Sequence, residues 1–263
     1  MDADFKKGFY KPMTRFSQLE FDGADKEKPN EQIGEPVHDT AYYYKEAIRC
    51  RLAGDFELAL RNYSRMLEMN NMRFEGWLGQ TLMLIELGEY AEAAIWANKA
   101  LDLFPQQPEL YAARAVAYHR DLKKADAIKS SDTAIDIGNQ SAYVWLSRAE
   151  IMYPRKHSVA ENCLSKAISA AGKEGALVKL EAARIMKHYG NRHAAIEYLN
   201  EVVRVFPKSA LAWYELGCCQ SELGLSAAKA ALEQSLILRP RWNAAENALA
   251  KCKPSFLKRL FRR

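Results

Sequence analysis

LGEYAEAAIWANKALDLFP (87–105) decides the fold, because it returns. It comes back as YGNRHAAIEYLNEVVRVFP (189–207) and as LGLSAAKAALEQSLILRP (223–240), and AGDFELALRNYSRMLEMNN (53–71) precedes it. The spacing is 34 residues or a multiple of it, within one. A unit of that length cannot bury an apolar face alone; it must stack on its neighbours, and the product is a solenoid rather than a globule.

Working outward from 87–105, the residues before it define a first helix and the residues within it a second. Trp77, Leu78, Leu82, Leu84, Ile85 and Leu87 recur at helical spacing, and Gly88 supplies a left-handed stop. Ala93, Ala97 and Ala100 then follow at i, i+4, i+7, small enough for two helices to approach closely, and Pro105 prevents continuation. The same helix, turn, helix, stop frame is read at 40–73, 74–107, 108–141, 142–174, 176–209 and 210–240.

This pattern resembles the tetratricopeptide repeat (TPR) family. The closest agreement lies at Trp77, Gly88, Tyr90, Ala93, Ala100 and Pro105, and at Trp213, Leu216, Gly217, Gly224, Ala228 and Pro240. It covers residues 40–240, about three quarters of the chain. The resemblance implies an all-α fold: a right-handed α-solenoid of about six helix-turn-helix units, with a concave face built mainly from the first helix of each pair. Residues 241–252 read as a seventh first helix with no partner, a capping helix with Trp242, Ala245 and Leu249 turned inward. Two places depart from the frame. Leu122 stands where the third unit needs its turn glycine, and Tyr153-Pro154-Arg155-Lys156-His157 replaces the fourth turn. Either the repeat has drifted there, or a hinge separates a 40–107 half from a 176–252 half.

Charge is unevenly placed. The net +5 comes from residues 251–263, which hold six Lys/Arg and no acid, whereas residues 1–39 hold six Lys/Arg against nine Asp/Glu. The repeat body is close to neutral, so no nucleic-acid partner is expected. Five cysteines with no C-x-x-C pair suit a reducing, cytoplasmic setting. No phosphate-binding glycine loop and no G-x-S-x-G elbow occur. His188 and His193 flank a glycine turn without further ligands nearby, and Cys218 and Cys219 read as small apolar helix residues. The chain is therefore expected to be non-enzymatic, with no cofactor and no metal site.

The family geometry places one side chain of each first helix at the centre of the concave face: Tyr44, Leu78, Ala112, Leu146, Leu180 and Tyr214. The next turn brings Ile48, Leu82, Val116, Glu150, Arg184 and Cys218, so the groove is expected to be apolar through three units and more polar after them. Tyr44, Ile48, Leu78, Leu82, Tyr143, Leu146, Leu180, Arg184 and Tyr214 are the candidate partner-binding residues. Family members that hold the acidic tails of heat-shock chaperones use lysine, arginine and asparagine in slots occupied here by Tyr44, Ile48, Gly79, Glu109 and Ala113. That partner class is not expected; an apolar or amphipathic protein segment fits better.

Two tails complete the chain. Residues 1–39 are aromatic-rich at the start (Phe5, Phe9, Tyr10, Phe16, Phe21) and of disordered composition after that. Residues 1–21 would fold back into the groove or serve as a motif for another protein. Residues 253–263 form a short basic amphipathic segment, with Phe256, Leu257, Leu260 and Phe261 on one arc and Lys258 and Arg259 on the other. These are candidate contacts to an anionic membrane surface. The expected function is a protein-interaction scaffold or assembly factor. The alternatives are a peripheral membrane scaffold anchored by the tail and a self-assembling repeat oligomer.

Overall fold

The structure, a computed structural model, describes residues 38–138, 140–172 and 175–252. The aromatic N-terminal stretch and the candidate membrane contacts at 256–261 lie outside the described residues. Among those described there are thirteen helices and no strand. Six antiparallel pairs follow one another: α1 (Thr40–Leu52) with α2 (Phe56–Met69), α3 (Phe74–Glu86) with α4 (Tyr90–Leu103), and α5 (Pro108–Arg120) with α6 (Lys124–Asp136). Then come α7 (Ala142–Met152) with α8 (His157–Ala170), α9 (Gly175–His188) with α10 (Arg192–Val205), and α11 (Ala210–Glu222) with α12 (Ala228–Leu238). A last helix, α13 (Asn243–Cys252), caps α11 and α12. The fold is an all-α solenoid.

Local chemistry sets the helix ends. Asp39, Asp55, Asn191 and Ser209 cap α1, α2, α10 and α11 by accepting from first-turn amides. In five of the six pairs the turn uses one residue at positive φ; Gly88 supplies it at +82° with open space around it. The third pair meets the same demand with Leu122 at φ +62°, a conformation that crowds its Cβ, and leaves its side chain 78% exposed. In the fourth pair Pro154 follows Tyr153, the C-cap of α7, and the turn closes through the Lys156 amide on the Met152 carbonyl at 2.8 Å.

One buried alanine per pair fixes the spacing of the two layers: Ala59, Ala93, Ala127, Ala160, Ala195 and Ala228, at most 3% exposed. Glycine does the same where helices meet most tightly, since a Cβ on Gly79 would lie 2.3 Å from the Tyr63 ring. Between the layers sit fully buried leucines, among them Leu60, Leu84, Leu110, Leu164, Leu180, Leu199 and Leu232. Each stabilises the stack by about 2 kcal/mol relative to an exposed side chain.

The solenoid also meets itself. Ser209, at the start of α11, donates its hydroxyl to the Leu52 carbonyl at 2.8 Å, and Arg239 donates to the Gly54 carbonyl at 2.7 Å. Leu52 is the last residue of α1, whose final carbonyls have no partner within the helix, and Gly54 stands in the turn that follows. Trp242 lies over Gly54 so closely that a Cβ there would stand 3.0 Å from the indole. Arg51 of α1 bonds Glu181 of α9 at 2.8 Å, and Arg184 of α9 bonds Glu86 of α3. The first two pairs are thus joined directly to the fifth and sixth, and a hinge around 120–160 would have to break these bonds to open. In the cap, Ala245 is fully buried, Trp242 and Leu249 are half-buried, and Arg241, Asn243 and Glu246 face solvent.

Candidate functional site

The inner helices α1, α3, α5, α7 and α9 line a half-open chamber with two compartments. One, of about 380 Å³, is walled by Tyr44, Ile48, Phe74, Leu78, Tyr143 and Leu177, with Glu75 and Glu109 among its lining. The other, of about 610 Å³, is lined by Glu86, His119, Arg120, Glu150, Arg184 and Lys187. Arg51, Leu82, Tyr143, Leu146 and Glu181 belong to both and form the partition. The apolar compartment takes its walls from the N-terminal halves of the inner helices, the ionic one from their C-terminal halves. The expected division, apolar in the first three pairs and polar afterwards, is corrected here. Polarity changes along the helices rather than along the chain, because Arg51, Glu86 and Arg120 from the first three pairs meet the acids and bases of α7 and α9.

The ionic compartment is built from paired charges. Arg120 grips Glu150 with two bonds, 2.8 and 3.2 Å. Arg184 reaches Glu86 at 2.5 Å, Glu181 at 3.0 Å and Glu215 at 3.2 Å, and Lys187 pairs with Glu215. Four bases (Arg51, Arg120, Arg184, Lys187) face four acids (Glu86, Glu150, Glu181, Glu215), and a fifth base, Lys124, stands exposed among the lining. Burial alone would raise the Glu86 carboxyl, but Arg184, with Arg120 and Arg51 behind it, holds it at about 2. Burial likewise opposes the charge of Arg184, and Glu86, Glu181 and Glu215 outweigh it, so the guanidinium stays well above its ordinary value. Burial pushes the Tyr143 phenol up and the His119 imidazole down. Tyr189 gives its single hydroxyl proton to the Glu150 carbonyl at 3.0 Å, so the His119 nitrogen 3.0 Å from that oxygen, Nε2, carries hydrogen. The compartment offers directed hydrogen bonds, and the exposed Lys124 is its one Lys or Arg in excess of the acids.

The nominated residues divide by place. Tyr44, Ile48 and Leu78 line the apolar compartment, Leu82, Tyr143 and Leu146 line both, and Arg184 lines the ionic one. Leu180 is fully buried in the core, because α9 presents Leu177, Glu181 and Arg184 to the chamber and Leu180 falls at the edge of that arc, and Ala112 of α5 is buried against Ala134 and Val144. Tyr214 stacks obliquely on Trp242 at 4.6 Å, with Lys187 over its ring, and so belongs to the self-contact rather than the chamber wall. Arg51, Glu86, Arg120, Glu181 and Glu215 were not anticipated as chamber residues. Their only sequence signal is a charged side chain within an inner-helix stripe. Among the described residues no group of three or more His, Cys, Asp or Glu is placed to hold a metal, and no helix is long and apolar enough to cross a membrane.

Paired helices in register, a buried alanine in every pair and an inner layer lining a chamber define a class, and comparison agrees with it. The tetratricopeptide repeat profile matches residues 44–108 and 190–245. The chain belongs to the tetratricopeptide repeat family. An uncharacterized protein of Methanocaldococcus jannaschii is 34% identical over 61 residues, 23% of this chain and 71% of that one. The photosystem I assembly protein Ycf3 of Prochlorococcus marinus is 26% identical over 136 residues, 49% of this chain and 78% of its own. Among solved structures, the APC/C hetero-tetramer Cut9–Hcn1 superposes with a TM-score of 0.53 at 15% identity, over 82% of this chain. The chain spans 43% of that one, and the likeness is one of fold.

Proposed function

We propose that this protein is an interaction scaffold, working as an assembly factor, that holds a short apolar or amphipathic segment of a partner protein in the apolar compartment of its chamber. One observation carries the reading. Tyr44, Ile48, Phe74, Leu78 and Tyr143, apolar or aromatic side chains from α1, α3 and α7, keep part of their surface exposed around a common space of about 380 Å³. A volume of that order is typical of ligand-holding cavities, and apolar surface kept open in this way marks recognition sites. A space of about 380 Å³ is small beside a helix about 10 Å across, which favours an extended segment. An assembly role is supported by the relative known as a photosystem I assembly protein. The four buried bases of the ionic compartment are each matched by an acid, and the single exposed Lys124 makes no cationic clamp for an acidic tail. All five cysteines are unpaired, in keeping with a reducing compartment such as the cytoplasm.

Affinity capture from native lysate tests this, using wild type, Ile48→Glu/Leu78→Glu, and Ile237→Glu on the outer face, where Ile237 is 71% exposed. Partners held by wild type and Ile237→Glu but lost from the chamber variant, at unchanged helical circular dichroism, are the expected result. Retention by the chamber variant would place binding on another surface.

A further inference from the structure

The lining of the apolar compartment is not electrically neutral. Its described wall carries three acids, Glu75, Glu109 and Glu181, and one base, Arg51. Arg51 and Glu181 satisfy each other at 2.8 Å, each less than a fifth exposed. That leaves the carboxylates of Glu75 and Glu109, which open the first turns of α3 and α5 and stand at the same end of the compartment as Phe74 and Tyr143. Arg73 lies 3.4 Å from Glu75, but both side chains are more than a third exposed, and a pair of that kind neutralises little. Acids in the first turn also complement their own helix dipoles, which is a sufficient structural reason for either of them alone. Two such acids beside one open apolar space make, in addition, a negative wall next to an apolar one.

Resting on the chamber reading above, we propose that the bound segment is basic as well as apolar. A large apolar or aromatic side chain fills the compartment, and a lysine or arginine within two residues of it lies against Glu75 and Glu109. The partner is then a protein presenting an extended apolar–basic motif. The compartment discriminates against acidic segments by placing a carboxylate of the ligand opposite carboxylates of the wall.

The test uses the full chain and three fluorescein-labelled nonapeptides with a central phenylalanine flanked by lysine, serine or glutamate, read by fluorescence anisotropy. The lysine-flanked peptide is expected to bind about fivefold more tightly than the serine-flanked one, as two half-exposed ion pairs supply, and the glutamate-flanked peptide more weakly than both. The differences shrink in molar salt, where the screening length is about 3 Å. Glu75→Gln/Glu109→Gln flattens the order and Glu75→Lys/Glu109→Lys inverts it. An order that survives charge reversal overturns the proposal. If the three peptides bind alike and are all lost in Leu78→Glu, the chamber reading stands and its basic preference falls. If none binds wild type, both fall for this compartment. Concentration-dependent self-association that these peptides reverse would give the site to a second copy of the chain and would also overturn the proposal.

Discussion

Replacing Arg184 by leucine tests whether the ionic compartment is formed in solution. Its guanidinium serves Glu86, Glu181 and Glu215 at once, and these carboxylates are 12%, 16% and 6% exposed. Arg184→Leu keeps much of the packing volume and removes their common partner. Breaking a buried ion pair from one side costs about 3–5 kcal/mol. Arg51 and Arg120 remain near Glu86, so the lower end of that range is expected at neutral pH, with a fall in melting temperature of roughly 10 °C. The pH dependence is the sharper readout. In the wild type Glu86 has its pKa depressed from 4.5 to about 2, so its contribution, on the order of 3 kcal/mol, is complete above pH 4.5 and is lost as pH falls toward 2. In the variant, burial without Arg184 raises that carboxyl instead, so lowering the pH relieves the variant while it weakens the wild type. The difference between the two, taken from urea unfolding at a series of pH values, should narrow by about half between pH 7 and pH 4. The double variant Arg184→Leu/Glu86→Gln should recover a large part of the loss. A loss under about 1 kcal/mol at pH 7, or a difference that stays constant with pH, would refute the reasoning.

Two further substitutions probe the backbone and the self-contact. Leu122→Gly relieves a left-handed leucine that is 78% exposed and so gives up almost no burial; it should raise stability by roughly 0.5–1 kcal/mol, and a lowered urea midpoint would contradict the strain. Gly54→Ala and Gly88→Ala each place a side chain at positive φ, but only Gly54 faces the Trp242 ring. Gly54→Ala should therefore cost about 1 kcal/mol more than Gly88→Ala in thermal unfolding, and equal losses would mean that the solenoid does not close on itself in solution.

The elements were legible because their signals are local. Gly88 and Gly190 end inner helices with a conformation other residues adopt at a cost, and the alanines at 59, 93, 127, 160, 195 and 228 mark where two helices must touch. The irregular fourth turn was legible too, since Pro154 forbids α7 from continuing past it. The chamber was half legible. Tyr44, Ile48, Leu78, Leu82, Leu146 and Arg184 could be placed on inner faces by repeat position, and the structure sets them around one space. Leu180 holds the equivalent position yet is sealed in the core, since α9 turns Leu177, Glu181 and Arg184 to the chamber instead. Tyr214 was placed on the wall by the same counting, and the structure sets its ring against Trp242 of the neighbouring cap.

By itself the sequence determined the helices, their pairing and the face each turns inward, since those depend on neighbours within one repeat. It did not contain the meeting of Arg184 with Glu86 or of Arg51 with Glu181, pairs separated by 98 and 130 residues. Those contacts follow from the angle between successive helix pairs, summed over six pairs until the chain returns to its own beginning. Each angle is small and set by side-chain volumes across an interface, so no single repeat encodes the sum. Only the tertiary structure decided that the inner faces would meet around one chamber, apolar at one end and ionic at the other.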